Sequence, residues 1–135
     1  MLLLLIDFGL VVLIWMTQLV VYPGFVHFQE QDLVRWHHKY TTNISYLVMP
    51  LMLAQLVFHL HGAYVDFHWW RTIALLLISF AWINTFMFAV PKHNNISAQT
   101  QVHESAKKLV KINWYRVLIW TSIFLINLLF TFLLD

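Results

Sequence analysis

Four long apolar runs, Leu2 to Tyr22, Ile44 to Leu60, Trp70 to Val90 and Trp114 to Leu134, fill most of this chain, and its basic residues, histidines and prolines collect between them. A helix crosses a hydrocarbon core of about 30 Å with roughly 17 to 25 predominantly apolar residues, and each run reaches that length. Lipid offers no partner to the backbone, so such runs must close their own hydrogen bonds as helices. The expected fold is all-α, a polytopic membrane protein built as a four-transmembrane-helix bundle. Its spans cover about 2–22, 44–61, 70–90 and 113–134 within one domain, residues 1–135. The chain is 61% hydrophobic and 10% charged, far from the roughly 25% charged residues of a soluble domain. With no cysteine, disulfides, thiolate metal sites and cysteine nucleophiles are excluded. The apolar N-terminus lacks a basic n-region and an A-x-A site, so it reads as a retained first span rather than a signal peptide.

Lysine and arginine set the expected orientation, because loops near span ends on the cytoplasmic side carry the positive excess. The first connection holds Arg35 and Lys39; the third holds Lys92, Lys107, Lys108 and Lys111, with Arg116 just inside the fourth span. The second offers only Arg71, beside Asp66. Connections one and three should therefore face the cytoplasm of a cell inner membrane, with both termini outside. At a net charge of +2 these lysines read as orientation signals, and no nucleic-acid partner is expected.

Proline and glycine at Tyr22-Pro23-Gly24 should end span one, and Pro91 should end span three. Short interfacial helices are expected in the first and third connections. One carries Phe25, Phe28, Leu33 and Trp36 toward lipid. The other is N-capped by Ser97 and reaches Val110. Pro50 is tolerable inside span two where neighbours satisfy the freed carbonyl. Trp69, Trp70, Trp114, Tyr115 and Trp120 suit an aromatic belt.

Sorted by depth, the polar residues gather at the cytoplasmic ends. Gln18 and Tyr22 close span one; His37, Tyr40 and Asn43 open span two. Asn84 and Thr85 lie about 9 to 10 Å above the inner end of span three at 1.5 Å per residue, His93 follows Pro91, and span four begins with Asn113, Trp114 and Arg116. Groups this costly to expose to lipid should face the bundle interior or water. The expected site is a pocket there with His37, His93, Asn113 and Arg116 as catalytic residues. The histidines would serve as acid/base groups or metal ligands, and Arg116 as an anion or carbonyl clamp. The alternative for each residue is an interfacial anchor or an interhelical hydrogen bond.

A second histidine cluster, His59, His61 and His68 with Asp66, supplies ligands for zinc or copper at weakly specific spacing. The cofactor thus stays open: a transition metal is the weaker expectation, and a two-histidine b-type haem weaker still. Gln55 and His59, four apart, share a helix face and could line a path. Asp7, about 7 to 9 Å into span one, is expected to snorkel to the outer interface, with pairing to Arg71 or His59 as the alternative.

Tyr22-Pro23, Trp36-His37, Pro50-Leu51-Met52, Val90-Pro91-Lys92-His93 and Leu109-Val110-Lys111-Ile112-Asn113-Trp114-Tyr115-Arg116, with Trp120, together resemble a family of small, uncharacterised four-span bacterial membrane proteins. These carry YP, YH or WH, P-x-M, VP-x-H and LV-x-x-NW-x-R in this order, over nearly the whole chain. More distantly, the proline ending span three and the N-x-x-R opening span four look like the anthrone-oxygenase-like membrane proteins. This chain departs at Gln55 and Tyr40, where many relatives have an acidic residue and a second histidine, which argues against a carboxylate-bearing metal site. The resemblance implies a membrane-embedded oxidoreductase or oxygenase-like enzyme acting on a small lipophilic substrate that enters from the lipid bilayer. The competing class is a non-enzymatic accessory subunit assembling with itself or with a larger membrane complex, against which stands the absence of G-x-x-x-G. A small-solute transporter ranks third, since Pro50 is the only candidate mid-membrane break.

Overall fold

A computed structural model describes residues 1–133; Leu134, the expected end of span four, and Asp135 lie outside the described residues. The first helical column comprises α1 (Leu2–Met16), a π-helical stretch (Thr17–Val21) and α2 (Tyr22–His27). The second is α3 (Glu30–Val65). The third comprises α4 (Trp69–Ile83), a second π-helical stretch (Asn84–Ala89) and α5 (Val90–Ser97). The fourth is α6 (Val102–Leu133). All four columns are long and apolar enough to cross a membrane. They form a square bundle in which each packs on its chain neighbours and α1 also packs on α6, while α3 and α6 barely touch across the diagonal.

The columns do not break where proline predicts. Column one stays helical through Pro23 to His27, and column three through Pro91 to Ser97. Proline lacks an N–H and its ring presses on the carbonyl four residues back. In both columns the turn just before the proline is widened instead, with the Tyr22 N–H reaching the Thr17 carbonyl and the Val90 N–H reaching that of Thr85. Each widened stretch also carries, at its first or second residue, a threonine whose hydroxyl bonds back to its own helix, Thr17 Oγ1 to the Leu13 carbonyl and Thr85 Oγ1 to that of Ala81, both at 2.8 Å. Such back-bonds bend helices. The shared pattern is Thr-x5-Pro, at 17–23 and 85–91, so the bundle is two similar hairpins: a column interrupted by a π stretch followed by one long unbroken α-helix.

The amphipathic segments expected to lie in the interface belong mostly to those unbroken helices. α3, with 36 residues, spans about 54 Å, and α6, with 32, about 48 Å at 1.5 Å per residue. Both exceed the hydrocarbon thickness because no breaker separates Leu33 or Glu104 from the span that follows. Short helices do occupy the two connections, as α2 and α5. Ser97 is the last residue of α5 rather than a cap, since the chain turns at Gln99 and Gln101 in left-handed backbone (φ 57° and 49°) before α6 begins.

Apolar packing divides into two clusters. One, at mid-bundle, joins Leu10, Ile14, Met52, Ile78, Ala81, Val117, Trp120 and Ile123. The other joins Tyr22, Phe25, Leu33, Ala89, Ile96, Val102, Ala106 and Leu109 at the end carrying connections one and three, here the basic end. Trp120 is thus a core residue, not a belt residue, and Trp70 is buried as well, whereas Trp69, Trp114 and Tyr115 are exposed.

Candidate functional site

Between the two clusters lies a cavity of about 240 Å³, lined by residues of both, among them Ile14, Met52, Trp120, Tyr22 and Ala89. It exists because α3 packs on α4 and on α5 but hardly touches the second π stretch between them. The sidewall there is formed by Ile44, Val48 and Met49 of α3 and by Phe86 and Val90 of column three, with Met49 and Phe86 exposed on the outer surface. The apolar opening therefore faces sideways. Widened helical turns recur at functional sites, and here both flank the cavity.

The polar wall is built from all four columns. Tyr22 and Thr17 come from the first, Tyr40 and Thr41 from the second, His93 and Ser97 from the third, and Arg116 from the fourth. The Tyr22 hydroxyl hydrogen-bonds His93 Nε2 at 2.9 Å. On the other side of the ring, His93 Nδ1 lies 2.7 Å from His37 Nε2. His37 Nδ1 lies 3.3 Å from the Ser97 hydroxyl. Phe25 and Tyr40 pack edge-on against each other, and Phe25 also packs edge-on against His37, holding the rings in place.

Arg116 is 7% exposed, and its guanidinium stacks over the Trp120 ring at 5.2 Å. Its Nε is buried without a hydrogen-bond partner. Among the described residues no carboxylate lies within ion-pair reach of it. Removing a charge from water is costly unless a counter-charge is supplied, and the cavity is the open space beside it.

Of the four residues expected to be catalytic, His93 and Arg116 line the cavity, and His37 stands behind His93, 0% exposed. Asn113 is buried on another face of α6, where its amide donates to Gln18 Oε1 at 3.0 Å and ties column four to column one. Both nitrogens of both histidines are engaged in hydrogen bonds. Two metal–nitrogen bonds of about 2.0–2.1 Å at a tetrahedral angle would hold the facing nitrogens farther apart than their 2.7 Å. Among the described residues no group of three or more His, Asp or Glu side chains is arranged to hold a metal ion. The present geometry of His37 and His93 does not fit a metal centre.

The second histidine cluster does not converge either. His68 bonds exposed Asp66 at 3.0 Å, and His61 is exposed. His59 is buried and turns inward to Asp7, 3.3 Å from its Oδ2. Asp7 does not snorkel: it is 1% exposed and accepts hydrogen bonds from Gln55 Nε2 at 2.7 Å and Asn127 Nδ2 at 2.8 Å. Gln55 in turn accepts from the Trp120 indole N–H at 3.1 Å. Its donors come from columns two and four, so this carboxylate pins three columns together in the half of the bundle away from the cavity. An indole N–H donates only, so hydrogen bonding between Asp7 and the cavity stops at Trp120.

Sequence reasoning assigned no role to Thr17 or Asn127, and it gave Ser97 and Trp120 other roles, as a helix cap and a belt residue. Asn127 carried a signal, being a lone amide in an apolar run. Thr17 carried none beyond the Thr-x5-Pro repeat.

No family model, curated protein or solved structure matches the chain.

Proposed function

We propose that this protein is a membrane-embedded enzyme that takes a small lipophilic molecule sideways from the bilayer, holds its oxygen-bearing, anionic head on Arg116, and moves a proton at that head. The observation that carries this reading is the buried Arg116 guanidinium beside a cavity with no carboxylate partner among the described residues. An anionic or carbonyl oxygen would supply the missing acceptor, and a guanidinium fits carboxylate and phosphate geometry well. His93 and Tyr22 on the same wall suit general acid–base work. The apolar gap between α3 and the second π stretch supports entry from lipid and leaves room for a tail.

Proton removal from an oxygen-activated lipophile is also the chemistry with which an oxidoreductase or oxygenase-like reaction can begin, its electron acceptor then coming from outside this chain. The lysine and arginine excess at connections one and three supports a cytoplasmic basic end. The test is native mass spectrometry of the protein extracted together with its own lipids. Wild-type protein should carry a bound small amphiphile, and Arg116→Gln should not; wild-type protein that emerges empty contradicts the reading.

A further inference from the structure

Four side chains form an unbroken line from the exposed end of α5, where Ser97 also borders the cavity, to the buried Tyr22 on the cavity wall. Ser97 is exposed at the end of α5, His37 is fully buried, His93 is half-buried, and Tyr22 is buried at the cavity wall. The links are 3.3 Å from Ser97 to His37, 2.7 Å from His37 to His93 and 2.9 Å from His93 to Tyr22. Each imidazole is bonded through one nitrogen on the surface side and the other on the cavity side. A neutral imidazole has one donor and one acceptor nitrogen, so the two rings must point their N–H groups the same way along the line. Only two neutral arrangements satisfy every link. In one, Ser97 donates to His37 Nδ1, His37 Nε2–H to His93 Nδ1, and His93 Nε2–H to the Tyr22 oxygen, leaving the Tyr22 O–H free for the cavity. In the other, every donor and acceptor is reversed.

We infer that Ser97, His37 and His93 relay protons between the aqueous surface and Tyr22, and that the substrate is one that both accepts and surrenders a proton during turnover. This inference rests on the cavity being a catalytic site. Starting from the first arrangement, the Tyr22 O–H breaks as the substrate anion bonds that proton. The Tyr22 oxygen takes the proton of His93 Nε2, His93 Nδ1 takes that of His37 Nε2, and His37 Nδ1 takes that of Ser97, whose oxygen is reprotonated by hydronium. One proton has crossed, every relay group is neutral again, and the line now stands in the second arrangement.

The relay cannot repeat that step until it is reset. Resetting by ring flips would break three hydrogen bonds among closely packed aromatic rings. Resetting by chemistry is direct: a second position on the substrate gives a proton to the Tyr22 oxygen, the line runs backward, and Ser97 returns a proton to water. The reaction class that does this in one turnover is proton-transfer isomerisation, such as keto–enol or double-bond migration next to a carbonyl. It is redox-neutral and needs no co-reactant. Within the relay, Tyr22 is the group that exchanges protons with the substrate, and Ser97 and His37 act through it and His93.

The test reads the ring nitrogens of the full-length protein, ¹⁵N-labelled at histidine, by solid-state NMR in phospholipid bilayers without substrate. Tyr22→Phe should shift the nitrogen signals of His93 and, through the shared N–H direction, those of His37, which Tyr22 does not bond. Ser97→Ala should shift His93 through His37, and Ser97→Thr should restore the wild-type signals. His59, at the far end of the bundle, reports folding and should not move. Shifts confined to the ring next to each substitution overturn the relay. If Tyr22→Phe also moves His59, the Ser97 pair decides. Failure of the relay is separable from failure of the site, because occupancy of the wild-type cavity by a small amphiphile is read independently in the mass spectrum.

Discussion

Asp7 offers the sharpest test of how the bundle is held together. Its carboxylate accepts two short bonds, from Gln55 at 2.7 Å and Asn127 at 2.8 Å, and a long one from His59 at 3.3 Å. Interhelical hydrogen bonds in membranes contribute about 0.6 kcal/mol on average and up to about 1.7. Two short bonds to a buried carboxylate belong at the upper end, about 3 kcal/mol together. Asp7→Ala should therefore destabilise the folded state by about 2–4 kcal/mol. Asp7→Asn should behave differently, because an amide keeps the shape but replaces one acceptor by a donor. Gln55 cannot turn to receive that donor, since its oxygen is occupied by the Trp120 N–H. Asn127 can, since its oxygen holds only a marginal 3.5 Å bond from Thr131. The loss for Asp7→Asn is expected to be about 1 kcal/mol, and Asp7→Asn with Asn127→Leu should lose that accommodation. The assay is reversible unfolding in mixed micelles, followed by circular dichroism. Equal destabilisation by Asp7→Ala and Asp7→Asn, or less than about 1 kcal/mol for Asp7→Ala, would refute the reasoning.

The π stretches and the packing at the basic end make further predictions. Pro91→Ala should let column three relax toward a regular α-helix, rotating His93 away from Tyr22; the ¹⁵N signals of His93 and His37 check this, and unchanged signals mean the proline does not maintain the widened turn. Leu109→Ala removes a fully buried side chain from the basic-end cluster. It should cost about 2 kcal/mol, the low end of the soluble range for Leu→Ala, because lipid is as apolar as leucine. Gly9→Ala places a methyl at ordinary contact, 3.8 Å, from Leu51. It should be neutral or stabilising by up to about 1 kcal/mol through helix propensity, and a lowered thermal midpoint would contradict that.

The four columns were legible because hydrophobic length alone decides a membrane helix, and the set of polar residues at the basic end was legible because lipid excludes them. Which of those residues meet was not. Asn113 and Arg116 are three apart on α6, yet Asn113 bonds Gln18 while Arg116 faces the cavity, a division set by helix rotation that spacing cannot supply. The prolines misled for a related reason. Rules for where helices stop come from water, where a broken turn can be solvated. Here the backbone stays paired, and the widened turns absorb Pro23 and Pro91. Asp7 was misjudged because only six residues precede it, which suggested a short reach to the interface. Its actual partners, Gln55 and Asn127, lie 48 and 120 positions away. Trp120 resembled a belt residue by its position in the run, and its burial follows from the neighbouring Gln55 acceptor and Arg116.

The most direct measurement is titration of the purified protein in lipid nanodiscs with decanoate and with decanol, chains of equal length that differ in head charge. With Arg116 unpaired beside the cavity, wild-type protein should bind decanoate at least tenfold more tightly than decanol, and Arg116→Gln should abolish that preference while leaving decanol binding unchanged. Equal affinity for the two in wild-type protein, or a preference that survives Arg116→Gln, contradicts the account.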